Sequence, residues 1–116
     1  MNKKGFLVSI PGIVLLFLLV SCSPSAEEYE KQGRDYVDAG EFEQAIEAFQ
    51  NAVEADPGYA DAYNNLGNTY RKTGQHDQAL ANLDKAIQLN PNHYKAYKNR
   101  GKLFAAQGEI DKALAD

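Results

Sequence analysis

Few side chains in this sequence suit covalent chemistry, and most of them lie near its start. Cys22 is the one cysteine, and the serines Ser9, Ser21, Ser23 and Ser25 all precede residue 26. Beyond them, Thr69 and Thr73 are the only alcohol nucleophiles besides tyrosines, and no recognisable base accompanies either. His76 and His93 stand 17 residues apart, without metal-ligand spacing, and read as surface or packing residues. The glycines are scattered singly and do not form a phosphate-cradling loop. These residues point away from an enzyme, a cofactor and a metal centre. The chemistry on offer is recognition instead. Lys95, Lys98 and Lys102 recur at i, i+3 and i+7, which on a helix makes one basic stripe. Ammonium groups held this way suit carboxylates.

Charge narrows the partner. Of the 12 basic residues, Lys3 and Lys4 fall in the leader, leaving 10 against 16 acidic ones from Cys22 onward, a net of −6. Such a balance lacks the basic footprint of a nucleic-acid binder. A single cysteine also excludes an intrachain disulfide. The charge is graded along the chain. Residues 26–59 carry 2 basic and 10 acidic side chains, residues 60–93 carry 3 of each, and residues 94–116 carry 5 basic and 3 acidic. A negatively charged partner is therefore steered toward the C-terminal half.

The elements that position the lysines follow from a repeat. Gly33, Gly67 and Gly101 are spaced by 34 residues, as are Gly40, Gly74 and Gly108, and Ala45, Ala79 and Ala113. Tyr29, Tyr63 and Tyr97 keep the same step, as do Tyr36, Tyr70 and Phe104. Within one repeat, Tyr63, Leu66, Gly67 and Tyr70 make one face of a helix, and Ala79, Leu80, Leu83, Ala86 and Ile87 make the face of a second. Gly74-Gln75 breaks the two apart, permitting an antiparallel pair. Pro57 and Pro91 end the second helices. Ser25-Ala26-Glu27-Glu28 reads as a capping box that starts the first. Their register makes Tyr29, Tyr36, Tyr63, Tyr70 and Tyr97 core residues, while Tyr59 and Tyr94, at the turns, read as staples between repeats. By the same register Gly108 opens a turn, and the chain reaches Asp116 about one and a half turns into a sixth helix. Ending there without a polar cap, the sequence reads as a fragment of a longer array, or else as a miniature array capped by a helix over 94–107.

This pattern resembles the tetratricopeptide repeat. The resemblance covers Ala26 to Asp116, as repeats at 26–59 and 60–93 with a partial third at 94–116, and only Gln32 departs from the pattern in the first. It implies an all-α fold, an antiparallel helix-pair solenoid of two full repeats and a truncated third. It also implies a concave groove lined by the first helix of each repeat. Carried over, the groove positions are Glu27, Glu30, Arg34, Val37 and Asp38, then Asp61, Asn64, Asn68, Arg71 and Lys72, then Lys95, Lys98, Lys102, Ala105 and Ala106. Some members of the family hold peptide carboxylates in a clamp of Lys, Asn, Asn, Lys and Arg. Asn68 and Asn99 fall on the two Asn sites in one register, with Asn64 where the leading Lys belongs, so the match is partial. The candidate binding set is thus Asn64, Asn68, Arg71, Lys72, Lys95, Lys98, Asn99 and Lys102, suited to an acidic or C-terminal carboxylate peptide.

The start of the chain has the layout of an export signal. Met1-Asn2-Lys3-Lys4 is a positive n-region, and Phe6 to Val20 is a 15-residue apolar run interrupted by Pro11-Gly12. A membrane-spanning helix wants about 20 apolar residues. Leu19-Val20-Ser21-Cys22 then resembles the bacterial lipobox. That resemblance implies cleavage of residues 1–21, a lipid on Cys22, a linker over 22–25 and a place in the bacterial cell envelope, at the outer membrane where the host has one. Two or more acyl chains hold a protein on a bilayer where one gives marginal binding. The linker after Cys22 reaches roughly 10 Å at most, which sets the acidic first repeat close to the membrane. The expected function is a membrane-anchored, non-catalytic scaffold with protein or peptide partners. The alternatives are a targeting or regulatory module of a longer enzyme, and a structural protein that self-associates through the open end of its array.

Overall fold

The computed structural model describes residues 23–115, and the export signal and Cys22 lie outside them. Among the described residues the fold is wholly helical: α1 (Ala26–Asp38), α2 (Phe42–Ala55), α3 (Ala60–Lys72), α4 (His76–Leu89) and α5 (Tyr94–Ala115). None of these helices is long and apolar enough to cross a membrane. Helices α1 and α2 pack as one pair and α3 and α4 as another; α3 then packs on α2, and α5 on α4.

Local chemistry sets the boundaries. Ser25 Oγ accepts from the Glu28 N–H at 3.2 Å, and the Glu28 carboxylate accepts from the Ser25 N–H at 2.7 Å, which closes the capping box at α1. Gly40 and Gly74 follow α1 and α3 with φ of 76° and 79°, a conformation that glycine adopts without a Cβ penalty. Asp56 and Asn90 leave the helix in extended conformation at the ends of α2 and α4. Each precedes a proline, and each side chain accepts from a backbone N–H two residues on, Gly58 at 2.9 Å and Asn92 at 3.1 Å.

Packing depends on close approach. A Cβ at Gly33 would stand 2.4 Å from the Phe49 ring, and one at Gly67 would stand 2.8 Å from Leu83 Cγ. The two glycines let α1 and α2, and α3 and α4, come together around Phe49 and Leu83. Both side chains are fully buried, which stabilises the fold by about 1.5–3 kcal/mol each. Ala45, Leu66, Tyr70, Ala79, Ala86, Ala96 and Leu103 complete one continuous core.

Three expectations change. Gly108 opens no turn: α5 runs unbroken for 22 residues through it, so five helices are formed among the described residues and no sixth begins. The described residues beyond Gly108, Glu109–Ala115, are too few to bury a face against α5 on a return. Running straight on keeps the backbone hydrogen bonds at no such cost. Second, Tyr70 is buried and Tyr63 partly so, but Tyr36, Tyr97 and Phe104 are exposed. Tyr70 is covered from α2, where Gln50 Nε2 donates to its hydroxyl at 2.9 Å. Among the described residues, Tyr36 has no helix before it, and Tyr97 and Phe104 have no returning helix over them. Third, Tyr94 is 72% exposed and staples nothing.

His93 takes that part instead. It is buried, its Nδ1 accepts from the Ala96 N–H at the start of α5, and its Nε2 donates to Asp61 Oδ1 of α3 at 2.7 Å. The ring caps one helix and ties it to another. Ser25, Tyr59 and His93 share this position before a first helix, so the sequence signal was a polar residue recurring every 34 positions.

Candidate functional site

The first helices of the pairs, α1, α3 and α5, contact one another in order. A chain of polar contacts crosses them. Arg34 Nε pairs with Glu30 Oε1 at 2.9 Å, Asn65 Nδ2 donates to the same oxygen, and Asn99 Nδ2 donates to Asn64 Oδ1 at 2.9 Å. Asn64 and Asn65 join the two halves through a longer contact of 3.4 Å. Both interhelix bonds link residues 35 apart, so the same tie is made twice, from one repeat to the next. Glu30, Asn64 and Asn99 are buried, and these ties satisfy them where water does not reach. Asn65 was not a groove candidate. Its signal was that Asn65 and Asn99 recur at the repeat step beside Glu30 and Asn64.

Between α3 and α5 the surface opens into a cleft of about 300 Å³, lined by Asn64, Asn65, Asn68, Tyr94, Lys95, Lys98, Asn99 and Lys102. Six of the eight candidate binding residues meet there. The other two do not line it. Arg71 bends back, Nε and Nη2 donating to Asn68 Oδ1 at 3.1 and 2.9 Å. Lys72 lies with Nζ 5.9 Å from the centre of the Phe42 ring, toward α2.

The charges of this cleft differ from those around it. Lys31 pairs with Asp35, Arg34 with Glu30, and Arg100 with Asp84. Lys95, Lys98 and Lys102 form no ion pair among the described residues. Lys95 Nζ lies over the Tyr94 ring, 6.0 Å from its centroid. Asn68 presents an amide nitrogen with no acceptor among the described residues, because Arg71 occupies its oxygen. Asn99 keeps one amide hydrogen beyond the one given to Asn64. The cleft therefore offers three ammonium groups and two amide donors, and no anion to meet them.

On the α1 side the lining changes character. A cleft of about 340 Å³ holds Glu30, Arg34, Tyr59, Asp61, Asn64 and Asn65, and Lys95 stands on the border between it and the basic cleft. Burial, and then the negative field of Glu30, Asp61 and Glu27, push the Tyr59 phenol above its ordinary value, so it stays a neutral donor. A second cleft of about 360 Å³ reaches down to Val37, Phe49 and Thr69 and shares Asn68 with the basic one. No group of three His, Cys, Asp or Glu side chains that could hold a metal is found among the described residues.

Models of the tetratricopeptide repeat match residues 60–93 and 82–115, and a TPR repeat model matches residues 33–74. Together they cover most of the folded part. The chain is a tetratricopeptide-repeat protein. Two crystal structures of MamA resemble this TPR chain at 35% identity, with TM-scores of 0.69 and 0.70 over 78% of it. The chain spans about half the length of those proteins, 50% and 53%. The second TPR of Spaghetti (RPAP3), solved bound to HSP90 peptide SRMEEVD, aligns at 25% identity and a TM-score of 0.70, over 78% of this chain and 84% of that one. No curated protein matches the chain. The likenesses support a protein–protein interaction module.

Proposed function

We propose that this TPR protein is a non-catalytic scaffold that binds an acidic peptide segment, or a C-terminal carboxylate, across α3 and α5. The observation that carries the proposal is the unpaired cation set: Lys95, Lys98 and Lys102 line one cleft with Asn68 and Asn99, while neighbouring cations are paired internally. Carboxylates entering the cleft gain charge-assisted bonds without breaking an existing ion pair. The Spaghetti (RPAP3) domain, a similar fold, is solved with a peptide rich in Glu and Asp at one end, which supports the same ligand class here. An exposed lysine row also serves solubility alone, and the test must separate the two.

Fluorescence anisotropy with a labelled acidic peptide does so. The triple change Lys95→Glu, Lys98→Glu and Lys102→Glu should weaken binding roughly tenfold or more, because like charges then meet across the cleft. Raising salt to about 0.5 M should weaken the unaltered protein as well, since the charges are exposed and screened. Affinity unmoved by both changes would remove the cleft from consideration.

The scaffold reading extends to a membrane anchor through Cys22. Its support is the lipobox-like Leu19-Val20-Ser21-Cys22 after a positive n-region and an apolar run. The anchor assigns the protein to the bacterial cell envelope, with the array projecting from the bilayer on a short linker. Cys22→Ser should abolish fatty-acid labelling and leave the precursor uncleaved. Normal processing of that variant would rule the anchor out.

A further inference from the structure

We infer that Arg71 is a positioning residue: it holds Asn68 so that the amide N–H groups, and not the oxygen, meet a carboxylate in the basic cleft. This role rests on the peptide-binding reading and concerns one of the cleft's donors. Arg71 forks onto a single atom, Nε and Nη2 both donating to Asn68 Oδ1, at 3.1 and 2.9 Å. A guanidinium has donors only, so it takes the oxygen end of an amide and never the nitrogen end. Both residues are half-buried, which shields the fork from competing water.

Packing of the array does not ask for this contact. One repeat away from Asn68 stand Arg34 and Lys102, and one repeat away from Arg71 stand Val37 and Ala105, so neither α1 nor α5 can form the pair. The ties that bind the stack behave differently, Glu30–Asn65 and Asn64–Asn99 recurring at the repeat step. Nor does the fork join two helices, since both residues lie on α3. It stands where the clefts meet: Asn68 lines the basic one and the one that reaches Val37 and Phe49.

Without the fork Asn68 has no such bias. Its oxygen and nitrogen are nearly alike in size, and the amide turns over between two orientations. Lys98 and Lys102 line the same cleft, and an ammonium attracts an oxygen. An unheld Asn68 would turn its oxygen toward them, and an incoming carboxylate would have to displace it. With Arg71 in place the oxygen is already taken and the lysines are left to the ligand. Arg71 also lies in the last turn of α3, where any cation favours the helix, so a test of its positioning role must keep the charge.

A double-mutant cycle does so, read by fluorescence anisotropy of the full chain in mild detergent with a labelled peptide of glutamates and glycines. Arg71→Lys keeps the cation and loses the fork. Alone it should weaken binding about threefold, and Asn68→Ala should weaken it about tenfold, the loss of one charge-assisted bond. Added to Asn68→Ala, Arg71→Lys should change nothing, because no amide is left to orient. In proton–nitrogen NMR spectra the Asn68 side-chain NH2 signals should move as peptide is added, and move less in Arg71→Lys. Three outcomes would overturn the role: Arg71→Lys binding as the unaltered protein does, Asn68→Ala without effect, or Arg71→Lys weakening the Asn68→Ala chain by the same factor. The last would put Arg71 on the peptide itself. The triple change of Lys95, Lys98 and Lys102 to Glu is the control. If it too leaves binding unmoved, the peptide-binding reading has failed, and the positioning role falls with it.

Discussion

Gly67 and Gly101 occupy one position of a 34-residue register and meet opposite surroundings. Around Gly67, Leu83 and the Ala79 carbonyl stand so close that a methyl group would strike them. Around Gly101 there is open space. Tyr70 and Phe104 repeat the contrast, one buried and one half in water. A repeat position thus specifies what a residue can pack against. Whether it is buried depends on which helix comes to cover it.

That contrast can be broken by substitution, with urea unfolding as the measure. The largest loss should come from the covered side: Phe49→Ala removes a fully buried ring and should cost about 3–5 kcal/mol. Gly67→Ala should cost about 1–3 kcal/mol, because the added methyl overpacks the α3–α4 contact. Asn64→Ala should cost about 1–3 kcal/mol by stripping Asn99 of its buried acceptor, whereas Lys98→Ala, at the same repeat position but exposed, should stay within about 0.5 kcal/mol. Smallest, and opposite in sign, Gly101→Ala in dilute protein should stabilise by up to about 1 kcal/mol, the helix-propensity gain of a residue that touches nothing. A loss at Gly101 as large as at Gly67 would mean that this face of α5 is covered.

The sequence showed the helix pairs because their packing residues are few and fixed in type. Glycine at 33 and 67, alanine at 45 and 79, and a positive-φ glycine at 40 and 74 each answer one steric demand, and the demand recurs. Gly108 misled for the same reason. It carries the residue type of a turn, but a turn also needs a returning helix long enough to hold it. The basic cleft was partly legible: Lys95, Lys98 and Lys102 share a helix face whatever lies beside them. Arg71 and Lys72 were not, because a long side chain chooses among neighbours that spacing does not reveal, here Asn68 and the Phe42 ring. The Glu30–Asn65 and Asn64–Asn99 ties were hidden because each depends on the offset between stacked helices, which no single helix encodes.

Those two ties have a mechanical consequence. They fasten the stack along the α1–α3–α5 side through buried acceptors. The α2 and α4 sides are held by apolar contact with one more exposed polar bond apiece, Gln50 to the Tyr70 hydroxyl and Arg100 to Asp84. Hydrogen bonds are directional and resist sliding; apolar surfaces are not, and slip at little cost. The array is thus built like a book bound along its spine. When it bends, the loosely held side should open and close while the bound side keeps its spacing. The lysines and amides of the cleft sit on the bound side, so the distances a ligand must match hold steady while the rest of the molecule flexes.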